Sequence, residues 1–288
     1  MNSGIAPLAA QGSQGPTRRR LLSALAIGAV FASERASADS FEVPPSMCPA
    51  RPIHLAHFEF GNFYSNGRGL ESDILAEMKQ RSGCAFASVS WPRARIWVEL
   101  ERGSLDMAMS AIPAPERDRY AWFIPYFKTK NYVIAGPSMP KHIDSAEAFL
   151  NAPTLRWGAV RGFRHGAAYD DFIGALAKQG RLELVASSQQ LFDMLRADRF
   201  AGMLSTPIVY RKELGQAMPA GWRVQDWAPA SRPIVSGLML SRMTFSQTRF
   251  AAWRLLINSM IEDGSLRKIA RRYLPADELD AALFDRAP

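Results

Sequence analysis

The sequence predicts an α/β protein with mostly parallel sheets, arranged as two successive strand–helix patterns. Short apolar runs recur along the chain, and their length is typical of buried strands. Segments with apolar residues at helical spacing separate these runs, and this order favours parallel strands joined by right-handed crossovers. A Gly- and Pro-containing stretch, residues 136–140, divides the two patterns and is the predicted linker.

The first pattern opens with a strand over residues 52–57 and continues to an alternating strand over residues 86–91. Between them, apolar residues recur at helical spacing and predict the buried face of a helix. These residues are Leu70, Ile74, Leu75 and Met78. A second helix over residues 94–102 is expected to bury Ile96, Trp97 and Leu100.

A central stretch, residues 103–127, organises this half of the chain. Its apolar run over residues 107–112 has the length of a buried parallel strand, and Pro115 suits the first turn of a helix. Arg117 therefore stands just beyond the carboxyl end of a strand, where open α/β sheets place their ligands. An aromatic run follows over residues 120–127.

The second pattern follows a strand predicted over residues 131–135. Its predicted strands cover residues 156–160, 182–185 and 201–204, and its predicted helices cover residues 146–150, 167–179 and 189–197. Residues 228–233 are the predicted return crossing. A strand over residues 238–241 and a helix over residues 250–262 come after it.

Residues 1–38 are predicted to be a cleaved export signal. Adjacent arginines precede an apolar stretch over residues 21–32 that is too short to span a bilayer. Ala36-Ser37-Ala38 then supplies a cleavage site of small residues. The segment fits both a twin-arginine and a Sec signal, with an uncleaved anchor as the alternative. We expect a mature protein exported to the periplasm.

The net charge of the mature chain does not indicate a nucleic-acid partner. Removal of residues 1–38 takes away four arginines and one glutamate and lowers the formal charge from +8 to +5. The remaining surplus of positive charge is scattered, so nucleic-acid binding is not expected.

Cys48 and Cys84 each precede a predicted strand, and export permits a disulfide between them, with two buried thiols as the alternative. Two cysteines alone do not indicate a metal site.

Three motifs of the central stretch resemble the amino-acid-type (family 3) periplasmic solute-binding proteins of bacterial ABC importers. They read Gly-Ser-Leu-Asp at residues 103–106, Pro-Glu-Arg at 115–117 and Phe-Ile-Pro-Tyr at 123–126. The family pattern is G-x-x-D, T-P-E-R and F-S-x-P-Y, so Ala114 and Ile124 depart from it. Further matches extend the resemblance over about residues 51–275.

The resemblance implies a two-lobe, type II periplasmic-binding-protein fold with two hinge crossings. Lobe 1 would comprise residues 39–136 and 234–288, and lobe 2 residues 137–233. Each lobe would contain a mostly parallel sheet flanked by helices.

The resemblance also implies that Arg117 clamps a ligand carboxylate, with helix-start N–H groups near residues 162–164 as second donors. Aromatic side chains would enclose the body of the ligand. The candidate ligand-binding residues are Glu59, Phe60, Trp91, Arg93, Ser110, Arg117, Phe163, Arg164, Ser205 and Thr206. No catalytic residue, metal ligand or cofactor is predicted.

One departure from the family pattern affects the expected charge of the ligand. Amino-acid binders of the family usually present an Asp after the last strand of lobe 2, where this chain has Ser205-Thr206-Pro207. Glu59 could substitute as the partner of an ammonium group, but the other charged candidates near the cleft are cationic. The sequence therefore favours a small organic anion or a modified amino acid over a standard amino acid.

We expect a monomeric substrate-binding component that delivers its ligand to an inner-membrane ABC permease. An enzyme on the same fold, similar to cyclohexadienyl dehydratases, is one alternative. Glu59, His57 and His165 are its only nearby acid–base candidates, and His165 is expected to be a solvated turn residue. A periplasmic sensor that acts through a separate partner is the other alternative.

Overall fold

The computed structural model describes residues 47–215 and 218–288, so the predicted export signal lies outside the described residues. The strands of the described part are β1 Ile53–His57, β2 Phe86–Ser90, β3 Met107–Ala111, β4 Ala121–Thr129, β5 Tyr132–Ala135, β6 Trp157–Val160, β7 Leu182–Val185, β8 Gly202–Ser205, β9 Arg223–Gln225 and β10 Ile234–Ser241. The helices are α1 Leu70–Ser82, α2 Arg93–Arg102, α3 Pro115–Asp118, α4 Ala146–Leu150, α5 Ala167–Lys178, α6 Ser188–Arg196, α7 Pro207–Leu214, α8 Gln247–Glu262, α9 Ser265–Ala270 and α10 Ala276–Ala282.

These strands form two five-stranded sheets flanked by helices. The first sheet has the order β2-β1-β3-β10-β4, and the second has the order β7-β6-β8-β5-β9. In each, the strands that alternate with helices are parallel, as predicted. The strands next to the two crossings, β4, β5, β9 and β10, pair antiparallel. Both sheets are therefore mixed, because β10 and β5 run against the parallel strands of their sheets.

The predicted apolar faces form the core of the first sheet. Every residue of β3 is buried, as a central strand between two helix layers requires. The predicted face of α1 is buried throughout: Leu70, Ile74, Leu75 and Met78. The same holds for Ile96, Trp97 and Leu100 of α2. These side chains fix α1 and α2 against the sheet and thereby position the loops at its carboxyl edge.

One boundary differs from the sequence prediction. The predicted lobe 1 includes β5, but β5 pairs with β8 and β9 in the second sheet. The first crossing therefore lies at Lys130 and Asn131, and the stretch after Gly136 is a turn of the second sheet, with the Met139 N–H donating to the Gly136 carbonyl at 3.1 Å. Gly and Pro mark a turn in either case, so composition alone cannot separate a linker from a turn.

The two crossings lie side by side. The second runs between β9 and β10. Lys130 Nζ lies 2.6 Å from Asp226 Oδ2 and also donates to the Pro229 carbonyl at 3.2 Å. One ion pair therefore joins the two connections between the sheets.

Cys48 and Cys84 form the predicted disulfide, with their Cα atoms 5.3 Å apart. The bond joins the segment before β1 to the turn before β2, and these two strands are parallel neighbours. It therefore lies at the amino ends of the strands. Closing a loop with a sequence separation of 36 residues stabilises a fold by about 4 kcal/mol in the chain-entropy view.

Five elements were not predicted: β4, α7, β9, α9 and α10. Of these, β9 has only three residues, whereas β4 has nine and contains Pro125, which obscured it as a strand. None of the helices within residues 47–215 and 218–288 has the length and hydropathy needed to cross a membrane.

Candidate ligand-binding site

A cavity lies where the carboxyl ends of β1 and β3 approach those of β6 and β8. Loops after these strands and both crossings contribute to its wall. The space open to water-sized molecules is about 40 Å³. This is the position where α/β sheets place their ligands. We call it the primary cavity.

Arg117 of α3 supplies one of two buried guanidinium groups in this wall. It is 4% exposed. Its Nη1 donates to the Ile112 carbonyl at 2.7 Å, and its Nη2 donates to the Gly162 carbonyl at 3.2 Å. The guanidinium lies 4.0 Å from the centre of the Trp97 ring. Burial lowers its pKa, and within the described residues no carboxylate forms an ion pair with it.

Arg93, the first residue of α2, supplies the second buried guanidinium. It donates to the carbonyls of Met109, at 2.9 Å, and Ser110. Its Cζ lies 3.9 Å from the centre of the Phe58 ring and 4.4 Å from that of Trp97. Burial, and then the charge of Arg117, lower the pKa of Arg93 to about 9, so the group is cationic at pH 7.

The two guanidinium groups share the Trp97 indole ring, and the charge of Arg117 contributes to the lowered pKa of Arg93. Uncompensated charges in a buried position are costly, and carbonyl hydrogen bonds return only part of that cost. Among the described residues that line the primary cavity, none is acidic. Glu71 acts on Arg93 and Glu116 acts on Arg117 from outside the wall, and an anion in the cavity would compensate both cations directly.

Unpaired polar atoms point to the same conclusion. Within the described part of the chain, five buried atoms of the cavity wall have no hydrogen-bond partner: Ser110 Oγ, Ser205 Oγ, Thr206 Oγ1, Ser236 Oγ and His165 Nε2. Buried polar groups are normally paired, so these atoms are free to bind a polar ligand.

Ser110 has a strained backbone at the end of β3. Its φ of +46° lies in the left-handed region that non-glycine residues rarely adopt. Its N–H donates to the Tyr126 hydroxyl at 3.0 Å, and its carbonyl accepts from Arg93. Burial raises the pKa of Tyr126, which stays a neutral phenol. Strain of this kind is characteristic of functional sites.

Aromatic rings form the apolar side of the cavity. Phe58, Phe60 and Phe63 follow β1, and Phe163 follows β6. The Phe163 ring packs edge-on against Phe58 and Phe60, with 5.2 Å between centres in both cases. The two sheets thus meet through rings that could enclose the body of a small ligand.

All but two of the candidate ligand-binding residues line the primary cavity: Phe60, Arg93, Ser110, Arg117, Phe163, Arg164, Ser205 and Thr206. Arg164 is already paired, since its Nε lies 3.0 Å from Glu116 Oε1. Glu59 lies outside the wall, and its carboxylate accepts the Asn66 N–H at 3.2 Å and 3.3 Å. Trp91 also lies outside, 4.2 Å from Arg95 Cζ, because it follows the edge strand β2.

His165 is the most informative residue that the sequence misplaced. It was expected to be solvated, but it is buried, and burial lowers its pKa to about 4. Asn131 was also missed, and its Nδ2 donates to the His165 carbonyl at 3.1 Å. Asn131 lies in the first crossing, and Ser236 lies near the start of β10, just after the second.

The fold and this cavity define a solute-binding protein of the two-lobe, type II class. Residues 54–276 match the bacterial extracellular solute-binding proteins, family 3. The chain belongs to that family, as its motifs predicted.

Solved structures share the fold at low sequence identity. The arginine-, lysine-, histidine-binding protein ArtJ from Geobacillus stearothermophilus is 14% identical, with a TM-score of 0.63 over 79% of this chain and 98% of its own. The solute receptor for L-cysteine of Neisseria gonorrhoeae is 17% identical, with a TM-score of 0.63 over 81% and 96%. An ancestral amino acid-binding protein, a precursor of cyclohexadienyl dehydratase, is 16% identical, with a TM-score of 0.64 over 78% and 95%. No curated protein sequence matches this chain.

Proposed function

We propose that this protein is the periplasmic substrate-binding component of an ABC importer and that it binds a small organic anion in the primary cavity. Membership of the family supports the transport role. The charge of the cavity supports the ligand class. The protein would act as a monomer, release its ligand unchanged and deliver it to an inner-membrane permease.

The observation that carries the ligand class is the pair of buried guanidinium groups without a carboxylate partner. Each retains N–H donors beyond those bound to carbonyl groups, because a guanidinium has five. A carboxylate between Arg93 and Arg117 would form charge-assisted hydrogen bonds with both. The hydroxyl groups of Ser110, Ser205 and Thr206 would satisfy its remaining lone pairs.

A standard amino acid fits this cavity less well than an anion. Its ammonium group would lie near two cations, and the described wall offers only neutral acceptors such as hydroxyl oxygens. The apolar body of the ligand would instead contact the phenylalanine rings. We therefore propose an organic acid or a modified amino acid without a free ammonium group.

Ligand binding would stabilise the arrangement in which the sheets are close. Trp97 Nε1 and Arg117 Nη2 both donate to the Gly162 carbonyl, at 3.0 Å and 3.2 Å, and Glu116 pairs with Arg164. These contacts join helices next to the first sheet to the loop after β6. We propose that the sheets belong to two lobes hinged at the crossings, and that the permease recognises the closed form by population shift.

Calorimetric titration of the mature protein with a panel of small carboxylates and standard amino acids tests this proposal. We expect carboxylates to bind, and Arg117→Ala to weaken binding at least about 100-fold, because a charged hydrogen-bond partner is lost. Arg95→Ala is the matched control, since Arg95 lies outside the cavity and pairs with Glu99 at 3.8 Å.

Binding of standard amino acids without organic acids would refute the proposed ligand class. Equal affinity of the parent protein and Arg117→Ala would refute the site. Turnover of a bound cyclohexadienyl acid, followed by absorbance, would favour the enzyme alternative over transport.

A further inference from the structure

We infer that the primary cavity opens into a second anion subsite, so that the ligand carries two anionic groups. This inference rests on the proposed function and extends it to a dianion, such as an α,ω-dicarboxylate. The subsite is a larger space beside the crossings, which we call the outer chamber. Its wall includes Lys130, Ala167, Ala168 and Arg232.

The outer chamber adjoins the primary cavity. Ile112, Asn131, His165 and Ile234 line both spaces. The outer chamber offers about 560 Å³ to water-sized molecules, against about 40 Å³ in the primary cavity. A carboxylate held by Arg93 and Arg117 would fill the inner space, and the rest of a longer ligand would extend past His165 into the outer one.

The charges of the outer chamber are cationic. Its charged wall residues are Lys130 and Arg232, and none of the described residues that line it is acidic. Lys130 is neutralised by Asp226 at 2.6 Å. Arg232 is exposed, and the described residues provide no ion pair for it. It is therefore the cation available to a ligand in this space.

Helix α5 begins in the same wall. It has 12 residues, and none of the described side chains caps its first N–H groups. The carboxylate in its first turn, that of Asp170, accepts the His165 N–H at 2.7 Å. Because Ala167 and Ala168 have small side chains, a ligand oxygen could approach their N–H groups at the positive end of the helix.

His165 supplies independent support, since it lies between the two spaces. It is 6% exposed, and its Nε2 has no partner within the described residues. A buried imidazole nitrogen normally has a hydrogen-bond partner. A polar ligand that runs from the primary cavity to the outer chamber would pass this atom and could satisfy it.

Calorimetric titration with matched acid pairs tests the subsite. Each pair contains an α,ω-dicarboxylate and the monocarboxylate of the same chain length, from four to eight carbons. We expect the dicarboxylate of at least one pair to bind about tenfold more tightly than its monocarboxylate, as one charge-assisted contact permits. Arg232→Gln should bring this ratio close to one. Arg199→Gln, a change at another exposed arginine, should preserve the ratio.

Two results would overturn the subsite alone: monocarboxylates that bind as tightly as dicarboxylates at every length, or a ratio that Arg232→Gln leaves intact. In both cases carboxylate binding that depends on Arg117 would persist, so the proposed function would stand. If the parent protein bound no carboxylate, the proposed function and the subsite would both fail.

Discussion

At the scale of one residue, Ser205 shows that a side chain suited to ligand binding can lower the stability of the fold. Its Oγ is buried in the cavity wall without a partner within the described residues. Ser241 is also buried, but its Oγ donates to the Leu100 carbonyl at 2.7 Å. An unpaired buried hydroxyl costs free energy that a paired one does not. Without a ligand, the wall with serine is therefore less stable than the same wall with alanine would be.

We predict that Ser205→Ala raises the free energy of unfolding of the ligand-free protein by about 1 kcal/mol and weakens ligand binding. The matched change Ser241→Ala should lower the free energy of unfolding by about 1 kcal/mol, because a buried hydrogen bond is lost. Urea unfolding followed by circular dichroism measures both. Equal destabilisation by the two changes would show that Ser205 Oγ is paired in the ligand-free protein.

His165 predicts a pH dependence. Its pKa is about 4 in the folded protein because of burial, and Asp170 opposes the shift only in part. The unfolded chain has the ordinary value of 6.5, so between pH 6.5 and 4 it binds more protons than the folded protein. Stability therefore falls as the pH is lowered through this range.

We predict that His165→Gln reduces the loss of unfolding free energy between pH 6.5 and 4. Carboxylates with lowered pKa values, such as Asp106 and Glu116, contribute to acid unfolding in both proteins. The difference between the parent and the variant isolates the histidine. Identical pH profiles in urea unfolding would mean that His165 is solvated, as its sequence context suggested.

Gly237 matters at the scale of the element, since it lies at the register shift between β10 and β4. A Cβ at this position would lie 2.0 Å from the Ile124 carbonyl oxygen. That oxygen belongs to the backbone of a paired strand and cannot move without disturbing the sheet. Gly174 in α5 offers the contrast, because a Cβ there would meet no atom within 4 Å.

We predict that Gly237→Ala lowers the free energy of unfolding by at least about 2 kcal/mol through overpacking. Gly174→Ala should raise it by about 0.5–1 kcal/mol, since alanine favours the helix. Thermal unfolding of both variants measures the difference. An unchanged free energy of unfolding in Gly237→Ala would mean that β10 and β4 can separate at the register shift without a loss of stability.

Local periodicity predicted most elements but not their partners. The buried faces of α1 and α2 followed from the spacing of apolar residues in single segments. The pairing of β5 with β8 depends on contacts about 70 residues apart along the chain. No local pattern carries that information, and so the first crossing was misplaced.

Local sequence patterns identified only part of the candidate binding site for the same reason. Arg93 and Arg117 were identified because each follows a strand, and the carboxyl ends of parallel strands converge. Glu59 and Trp91 follow strands too, but their side chains lie outside the cavity wall. Asn131 and Ser236 were missed because the first crossing and the start of β10 come together only in three dimensions.

At the scale of the whole molecule, the two sheets should move when a ligand binds. Within the described residues, Trp97, Arg117 and Arg164 form side-chain hydrogen bonds between the loop after β6 and the other side of the cavity, and the first two donate to the Gly162 carbonyl. Arg93 and Arg117 both lie beside the first sheet, so closure would bury two cations, and an anion would offset that cost. The ligand would therefore shift the population towards the closed form.

We predict that a saturating ligand reduces the radius of gyration measured by small-angle X-ray scattering to the value calculated from this structure. Arg117→Ala with the same ligand concentration is the control and should retain the larger radius. A parent protein with one radius in both states would exclude hinge closure as the signal to the permease.

The disulfide has a further consequence for how such a receptor can change during evolution. It fastens the amino ends of β1 and β2, while the primary cavity lies at the carboxyl ends. The covalent tie and the loop after β1 are thus at opposite ends of the same strand. We expect substitutions in the loops after β1 and β6 to alter ligand preference while the tied ends of β1 and β2 preserve the framework. New specificities can arise on this scaffold without a new fold.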